Sequence, residues 1–263
     1  MPVTKHETPS RPTPLAPRKR AILIGASSGI GAALAKQLAS EGWTLALLAR
    51  RADLLAALCS EINQQAGEVR AVAYVHDVTK NGEVPALLRK VVADLGGLDL
   101  FVYNTGINHR VDLDEFDFEK DAQMTAINYT GALAWLNPVA ALFHAAQAGT
   151  IVGIGSVAGD RGRVGAPGYN ASKAALHTYL EALRNRLTRR GVHVLTVKPG
   201  FVNTEMVKTS PRAFLVISPE KAAADISKAI RRRKQTLYTP WFWSGLMLVI
   251  RHIPSLIFRR LSF

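Results

Sequence analysis

The chain has 263 residues, of which 48 % are hydrophobic and 20 % are charged. This length allows one domain with a full hydrophobic core, and the single cysteine, Cys59, excludes an internal disulfide framework and fits a reducing compartment. The net charge of +13 is concentrated at the two ends, because residues 21–220 hold 19 Lys and Arg against 18 Asp and Glu. A domain that reads nucleic acid carries its basic residues on the fold itself, so this distribution argues against nucleic-acid binding.

Residues 1–19 precede the first predicted element and are rich in proline and basic residues. They lack the apolar run of a secretory signal, and their composition predicts a disordered segment. We therefore expect the body of the protein to lie in the cytoplasm. The basic ends have two explanations: attraction to an anionic lipid surface, or charge that only keeps the protein soluble.

From residue 20 onwards, short apolar runs alternate with helical patterns. The first four predicted strands are AILIG (21–25), TLALLA (44–49), AVAYV (71–75) and LDLFVY (98–103). Helical periodicity fills the segments between them, at 30–40, 54–65 and 84–95.

The second half continues the alternation. A long helix is predicted over 118–146, followed by the strand TIVGIG (150–155), a helix over 169–189, the strand VHVLTV (192–197), a helix over 219–232 and the strand QTLYT (235–239). Strands without polar alternation are buried on both faces, which indicates a parallel sheet covered by helices. We predict a single α/β domain over residues 20–240, with a doubly wound parallel sheet flanked by helices.

A glycine-rich turn, GASSGIG, lies directly between the first strand and the first helix. Gly25 permits a tight turn, Gly29 lets the backbone approach a pyrophosphate, and Gly31 allows the helix to pack closely on the strand. The free N–H groups of the helix then face the phosphates. This pattern predicts a Rossmann-type fold that binds a dinucleotide through Gly25, Ser27, Ser28, Gly29, Ile30 and Gly31.

The second strand ends in Ala49, Arg50 and Arg51, where a reader of the ribose 2′-hydroxyl would carry Asp or Glu. Guanidinium groups suit a 2′-phosphate, so the pair predicts NADP(H) rather than NAD(H). The alternative is a solvated pair of arginines at the start of a helix.

Four further residues have the types and spacing of an acid–base site: Asn128 in INYTG, Ser156 in GIGSVAG, and Tyr169 and Lys173 in YNASK. Tyr169 and Lys173 are four apart and share one helix face. A phenol is a poor base at neutral pH, and a neighbouring ammonium is expected to lower its pKa. The hydroxyl of Ser156, at the end of a strand, can hold a substrate oxygen. We predict no metal site, because no histidine has partners at ligand spacing and the acidic run 112–121 lacks a calcium-loop glycine.

Over residues 20–240 the chain resembles the short-chain dehydrogenases and reductases, through GASSGIG, Asp77-Val78, YNTG (103–106), Asn128, Ser156, YNASK and KPGFVNT (198–204). The chain departs from the family pattern at Ile24, Tyr103 and Thr105, which are structural positions. The resemblance implies hydride transfer between NADP(H) and a ketone or secondary alcohol, in a homodimer or homotetramer.

The resemblance also implies individual roles. Tyr169 is the acid–base residue, Lys173 lowers its pKa and holds the nicotinamide ribose, Ser156 polarises the carbonyl and Asn128 holds a water. Asp77 and Val78 bind the adenine. The remaining implied cofactor residues are Asn104, Gly106, Pro199, Gly200, Val202 and Thr204.

In this family the segment after Thr204 sets the substrate, and its apolar residues at 205–217 indicate either a lid that suits a hydrophobic or lipid-like ketone or plain packing on the body. The tail at 241–263 starts with ten apolar residues, about 15 Å of helix, which cannot cross a hydrocarbon core of about 30 Å. It predicts a peripheral membrane contact at the inner face of the membrane, or else a lid or subunit contact. YTPWFWSGLMLVIRHIPSLIFRRL and INYTG resemble reductases of keto-pentoses carried on polyprenyl phosphate. A reductase of 3-keto sphingoid bases and an NADP(H) sensor without turnover are the alternatives.

Overall fold

The fold is built on seven strands, and the computed structural model describes residues 19–208 and 214–261. The strands are β1 (Arg20–Ile24), β2 (Thr44–Ala49), β3 (Ala71–Val75), β4 (Leu100–Tyr103), β5 (Thr150–Ile154), β6 (His193–Pro199) and β7 (Thr236–Thr239). They form one parallel sheet in the order β3-β2-β1-β4-β5-β6-β7. The predicted doubly wound α/β fold is therefore confirmed.

The helices of the described residues follow the strands in alternation. They are α1 (Gly29–Ser40), α2 (Ala52–Ala66), α3 (Val84–Leu95), α4 (Phe118–Thr125), α5 (Gly131–Ala146), α6 (Pro167–Leu187), α7 (Glu205–Lys208), α8 (Pro219–Arg231), α9 (Trp243–His252) and α10 (Ser255–Phe258).

Each face of the sheet has its own apolar layer. Along β1, Ala21 and Leu23 pack with α1, α2 and α8, whereas Ile22 and Ile24 pack with α3, α5 and α6. Because side chains alternate across a strand, a strand covered by helices on both faces must be apolar at every position. This explains why the strands carry no polar alternation in the sequence.

The strand order reverses at the centre of the sheet, between β1 and β4. The loops after these two strands run to opposite faces, which leaves a crevice at the carboxyl ends of the strands. The glycine-rich turn after β1 and the segment Asn104–Gly106 after β4 border this crevice.

The helical segment predicted over 118–146 has the observed bounds, but it is not a single α-helix. Asp117 caps α4, its Oδ1 accepting a hydrogen bond from the backbone N of Lys120 at 3.1 Å. A π-helical turn (Ala126–Thr130) then separates α4 from α5. A π turn takes in extra residues and rotates the following side chains, and here it brings Asn128 into the interior, where it is fully buried.

The tail packs on the body along one face of α9. Trp243 and Met247, four residues apart, are buried with Val157. The guanidinium of Arg161 donates hydrogen bonds to three carbonyls at the end of the helix, those of Ile250, Arg251 and Ile253, at 3.0, 2.9 and 2.8 Å.

The opposite face of the tail carries exposed apolar side chains, among them Leu248 and Val249. Within the described ranges, none of the helices combines the length and apolar character needed to cross a bilayer. The predicted disorder of residues 1–19 falls, apart from Lys19, outside the described residues.

Candidate active site

The glycine-rich turn forms a close junction between β1, α1 and the loop after β4. Gly25 has φ +80°, and a Cβ on Gly31 would overlap the carbonyl oxygen of Gly25. The amide of Asn104 donates to that same carbonyl at 2.9 Å. The hydrogen bond from Asn104 and the close packing of Gly31 therefore fix the conformation of the turn. The N-terminus of α1 faces the crevice.

Arg51 lies against the same turn. Its guanidinium donates to the hydroxyls of Ser27 at 3.1 Å and Ser28 at 2.5 Å, and it approaches Glu205 at 3.4 Å. Both serines are at the start of α1, so Arg51 is anchored where the dinucleotide phosphates are expected. Arg51, the N-cap residue of α2, is thus in contact with the turn, whereas the side chain of Arg50 is largely exposed.

Arg50 and Asp77 face each other at the rim of the crevice, 3.8 Å apart. The carboxylate of Asp77 accepts hydrogen bonds from the backbone N and the hydroxyl of Thr79, at 2.9 and 2.8 Å. Burial raises the pKa of Asp77, but the two bonds from Thr79 and the charge of Arg50 outweigh it, so this pKa lies below its ordinary value.

A cleft of about 590 Å³ joins these residues to the acid–base group. Its walls include most of the predicted cofactor residues, namely Gly25, Ser27, Ser28, Gly29, Ile30, Arg50, Arg51, Asp77, Val78, Asn104, Gly106, Pro199, Gly200, Val202 and Thr204, together with Ser156, Tyr169 and Lys173. Gly31 and Asn128 lie behind the wall rather than on it. A glycine-rich turn at one end and a guanidinium beside it fit the phosphates of a dinucleotide.

Ser156, Tyr169 and Lys173 meet at the carboxyl end of β5. The Ser156 hydroxyl lies near the Tyr169 phenol and acts to lower its pKa, and it accepts a hydrogen bond from the backbone N of Ala158 at 3.1 Å. Lys173 places its Nζ 5.9 Å from the centre of the Tyr169 ring and donates to the carbonyl of Ile154 at 3.0 Å. All three side chains are buried.

The pKa of Tyr169 differs from our expectation. Burial raises it above the ordinary value for tyrosine, and the Ser156 hydrogen bond and the charge of Arg163 only partly oppose that rise. Burial also lowers the pKa of Lys173 to about 8. The expected lowering of the Tyr169 pKa by Lys173 is therefore wrong for the protein without bound cofactor, because desolvation is the largest effect on both groups.

Asn128 joins the loop after β4 to α6. Its Oδ1 accepts from the backbone N of Ile107 at 2.8 Å, and its Nδ2 donates to the Ile107 carbonyl at 2.9 Å and to the Ser172 hydroxyl at 3.0 Å. Both amide hydrogens are thereby used within the protein. Asn128 can therefore hold the predicted water only as a hydrogen-bond acceptor, through an oxygen atom.

Comparison with known proteins gives the family. The model of the short-chain dehydrogenases matches residues 19–213. The chain belongs to this family. An uncharacterised oxidoreductase of Myxococcus xanthus is 34 % identical over 242 residues, covering 91 % of this chain and 94 % of that protein.

Two other relatives are similar over nearly the whole chain. An uncharacterised oxidoreductase of Mycobacterium tuberculosis is 29 % identical over 247 residues, covering 93 % of this chain and 98 % of that one. The crystal structure of an alcohol dehydrogenase from Thermococcus sibiricus, complexed with 5-hydroxy-NADP, matches with a TM-score of 0.76 at 26 % identity, over 84 % of this chain and 95 % of that one. The finer resemblance to reductases of polyprenyl-linked keto-pentoses is not confirmed by these relatives.

This short-chain dehydrogenase also has a buried polar group behind Ser156 that the sequence did not suggest. The backbone N of Ser156 donates to Nε2 of His177 at 3.3 Å, and Nδ1 of that ring faces Asp160 at 3.6 Å. Lys198 pairs with Asp160 at 2.5 Å, and the Tyr238 hydroxyl donates to it at 2.6 Å. These residues come from four separate segments, so no short spacing could have predicted the group.

Proposed function

We propose that this short-chain dehydrogenase is an NADP(H)-dependent oxidoreductase that interconverts a hydrophobic ketone and its secondary alcohol. The observation that supports this most directly is that Ser156, Tyr169 and Lys173 line one cleft, which begins at the glycine turn. An acid, a hydroxyl and an ammonium in one dry pocket are suited to a reaction at a carbonyl group.

In this proposal each side chain has one task. Ser156 donates a hydrogen bond to the carbonyl oxygen, and Tyr169 transfers its phenolic proton to that oxygen during reduction. Because the pKa of Tyr169 is raised, its phenol is neutral at about pH 7 and holds the proton that reduction requires. Lys173 is mostly protonated at that pH, and its charge favours the phenolate left after the transfer. The bound nicotinamide would supply or accept the hydride.

NADP(H) is proposed over NAD(H) because of Arg51. Its guanidinium donates to Ser27 and Ser28 at the glycine turn, and it places there the permanent positive charge that a 2′-phosphate would pair with. The relative from Thermococcus sibiricus, whose structure contains an NADP derivative, is consistent with this choice.

The cofactor preference can be measured by steady-state kinetics with NADPH and NADH. We expect the Arg51→Ser variant to lose about 10- to 100-fold in kcat/KM for NADPH, since a charge-assisted hydrogen bond contributes about 1.5–3 kcal/mol, and to change little with NADH. Lys36→Ser, on the exposed side of α1, serves as the control. A wild-type enzyme that prefers NADH would contradict the proposal.

A hydrophobic substrate is proposed because of the side chains at the open end of the cleft. Met206 and Val207 line the cleft, and Phe214, on the other side of the lid, packs against Phe201 and Trp243 with ring centres 5.5 Å apart in both pairs. Apolar side chains at this end of the cleft, next to the aromatic cluster that includes Trp243 of the tail, favour an aliphatic substituent.

The substrate class can be tested with a panel of ketones in NADPH absorbance assays. The panel includes small ketones, 3-keto sphingoid bases and a polyprenyl-phosphate keto-pentose. We expect long-chain ketones to have the highest kcat/KM and the Tyr169→Phe variant to lose turnover while it still binds NADPH. Binding of NADPH without reduction of any ketone would instead favour a sensor.

The tail is proposed to rest on the inner face of the membrane. Exposed Trp241, Leu248, Val249, Leu256 and Ile257 are interspersed with the cationic Arg251, Arg259 and Arg260. Apolar side chains that enter the interface and arginines that pair with anionic headgroups are typical of peripheral binding.

Sedimentation with vesicles tests this contact. We expect the protein to pellet with vesicles of phosphatidylglycerol more than with phosphatidylcholine, and the double variant Leu248→Ser, Val249→Ser to stay in solution. If the variant pellets like the wild type, the tail does not dock on lipid. Light scattering of the protein without vesicles measures the proposed homodimer or homotetramer.

A further inference from the structure

Arg163 lies beside the reacting group without an acidic partner. It belongs to the loop between Ser156 and Tyr169, and its backbone is fixed by a hydrogen bond from the Asn170 side chain to its carbonyl at 3.2 Å. Its guanidinium is largely withdrawn from solvent, and its Nε is fully buried without a hydrogen-bond partner. Among the described residues, no carboxylate lies within ion-pair distance of it.

The two neighbouring basic groups of the same region are engaged differently. Arg161, two residues earlier, uses its guanidinium to hold three carbonyls of the tail. Lys198 is paired with the buried carboxylate of Asp160. Of these three basic residues, Arg163 is therefore the one whose charge has no partner among the described residues.

A second guanidinium approaches Arg163 from the loop after β4. Arg110 has its Nη2 3.6 Å from the point where Gly165 would carry a Cβ, and Val111 donates to the Gly165 carbonyl at 3.3 Å. The preceding residues, Asn108 and His109, line the cleft. Arg110 and Arg163 therefore lie near each other, next to the part of the loop after β4 that lines the cleft.

This arrangement is costly unless an anion is bound. Burial lowers the pKa of Arg163, the charge of Tyr169 raises it and the charge of Arg110 lowers it further. A guanidinium keeps its proton in proteins, so the site must carry the charge. A half-buried cation beside another cation is stabilised by a carboxylate or phosphate, which guanidinium groups bind in a bidentate manner.

Two anions already present in the scheme do not meet this need. The cofactor phosphates are expected at the start of α1, where Arg51 contacts Ser27 and Ser28. Tyr169 is a neutral phenol at about pH 7, because burial raises its pKa. The carboxylate of Asp121 lies against Gly168, but among the described residues it forms no ion pair with Arg163, so we assign the anion to the substrate.

We propose that Arg163, with Arg110 beside it, binds an acidic substituent of the substrate, a carboxylate or a phosphate, close to the carbonyl that Tyr169 and Ser156 hold. The inference rests on the proposed function and narrows it to ketones that carry an acidic group near the carbonyl as well as an apolar part.

Matched pairs of ketones test the site by turnover. The probes are levulinate with methyl levulinate, and dihydroxyacetone phosphate with dihydroxyacetone. We expect wild-type kcat/KM to be at least about 10-fold higher for one acidic ketone than for its neutral match, and Arg163→Gln to remove that ratio through KM, as the loss of a charged hydrogen-bond donor predicts. The ratio for Arg163→Lys should lie between those of the wild type and Arg163→Gln, because lysine keeps the charge but not the paired donors.

Arg189→Gln, in an exposed turn after α6, is the control and should keep the wild-type ratio. The pair that responds, carboxylate or phosphate, identifies the acidic group. An acid-to-neutral ratio that is equal in wild type and Arg163→Gln overturns the inference. The inference is also overturned if Arg163→Gln lowers kcat/KM equally for the acidic and the neutral ketone and shifts the pH profile of kcat. Arg163 would then act on Tyr169 and not on the substrate.

Calorimetric binding to the NADP⁺-mixed protein separates this inference from the proposed function. The probes are decanoate, decyl phosphate and decanol. If no ketone is reduced but one acidic probe binds wild type at least about 10-fold more tightly than Arg163→Gln, the site stands and the proposed reaction fails. If ketones are reduced and neither acidic probe binds better than decanol, the reaction stands and the site is refuted.

Discussion

His177 gives a sharp prediction about stability in acid. Its ring is buried behind Ser156, and burial, followed by the charge of Lys198, lowers its pKa to about 3 although Asp160 acts in the opposite direction. In the unfolded chain the same imidazole has an ordinary value of 6.5. The unfolded state therefore binds a proton below about pH 6.5 that the folded state does not bind, so stability falls as the pH falls.

The size of this effect follows from the two pKa values. At about pH 5 the difference in proton binding lowers the free energy of unfolding by about 2 kcal/mol, and at about pH 7.5 the contribution is close to zero. The result changes little for any folded-state pKa below about 4, because the folded imidazole is then neutral at about pH 5 in every case.

Urea unfolding of the wild type and of His177→Gln at these two pH values measures the effect. We expect the wild type to lose about 2 kcal/mol more than the variant between about pH 7.5 and pH 5, since glutamine can accept the Ser156 hydrogen bond but does not titrate. His144→Gln, at an exposed position near the end of α5, should behave like the wild type. Equal losses in wild type and His177→Gln would mean that the folded protein carries a charged His177, and the reasoning would be refuted.

Two further predictions concern Lys173 and Trp243. Burial lowers the pKa of Lys173 to about 8 from 10.5. The free energy of unfolding of the wild type, relative to that of Lys173→Met, should therefore rise by up to about 3 kcal/mol between about pH 8 and pH 10.5. An equal pH dependence of the two proteins in urea unfolding would contradict this. Trp243→Ala should cost about 3–5 kcal/mol, because the indole is buried over Gly200 and between aromatic rings, whereas Trp241→Ala, at an 81 % exposed residue, should cost under about 0.5 kcal/mol in the same assay.

Much of the fold could be predicted because its signals are local. The strand at 44–49 and the strand at 71–75 were predicted with the observed bounds, since a strand buried on both faces is an unbroken apolar run. The glycine turn was predictable for the same reason: Gly25 and Gly31 are six residues apart and touch through the backbone.

The features that were missed depend on groups that are distant in the sequence. The π turn at Ala126–Thr130 has no pattern of its own, because apolar periodicity continues through it into α5. His177 and Asp160 come together only once α6 packs against the loop after β5. The raised pKa of Tyr169 could not be predicted from YNASK either, because that motif gives the spacing of Lys173 but not the extent of burial around the phenol.

The three carbonyls held by Arg161 give the tail a mechanical role. Arg161 lies five residues after Ser156, so any movement of α9 must either pull on the catalytic loop or break these hydrogen bonds. Truncating the chain after residue 240, or fusing another domain there, would therefore alter the position of Ser156 even when no membrane is present. Conversely, a surface that binds Leu248 and Val249 would act through Arg161 on Ser156, the residue that we propose holds the carbonyl.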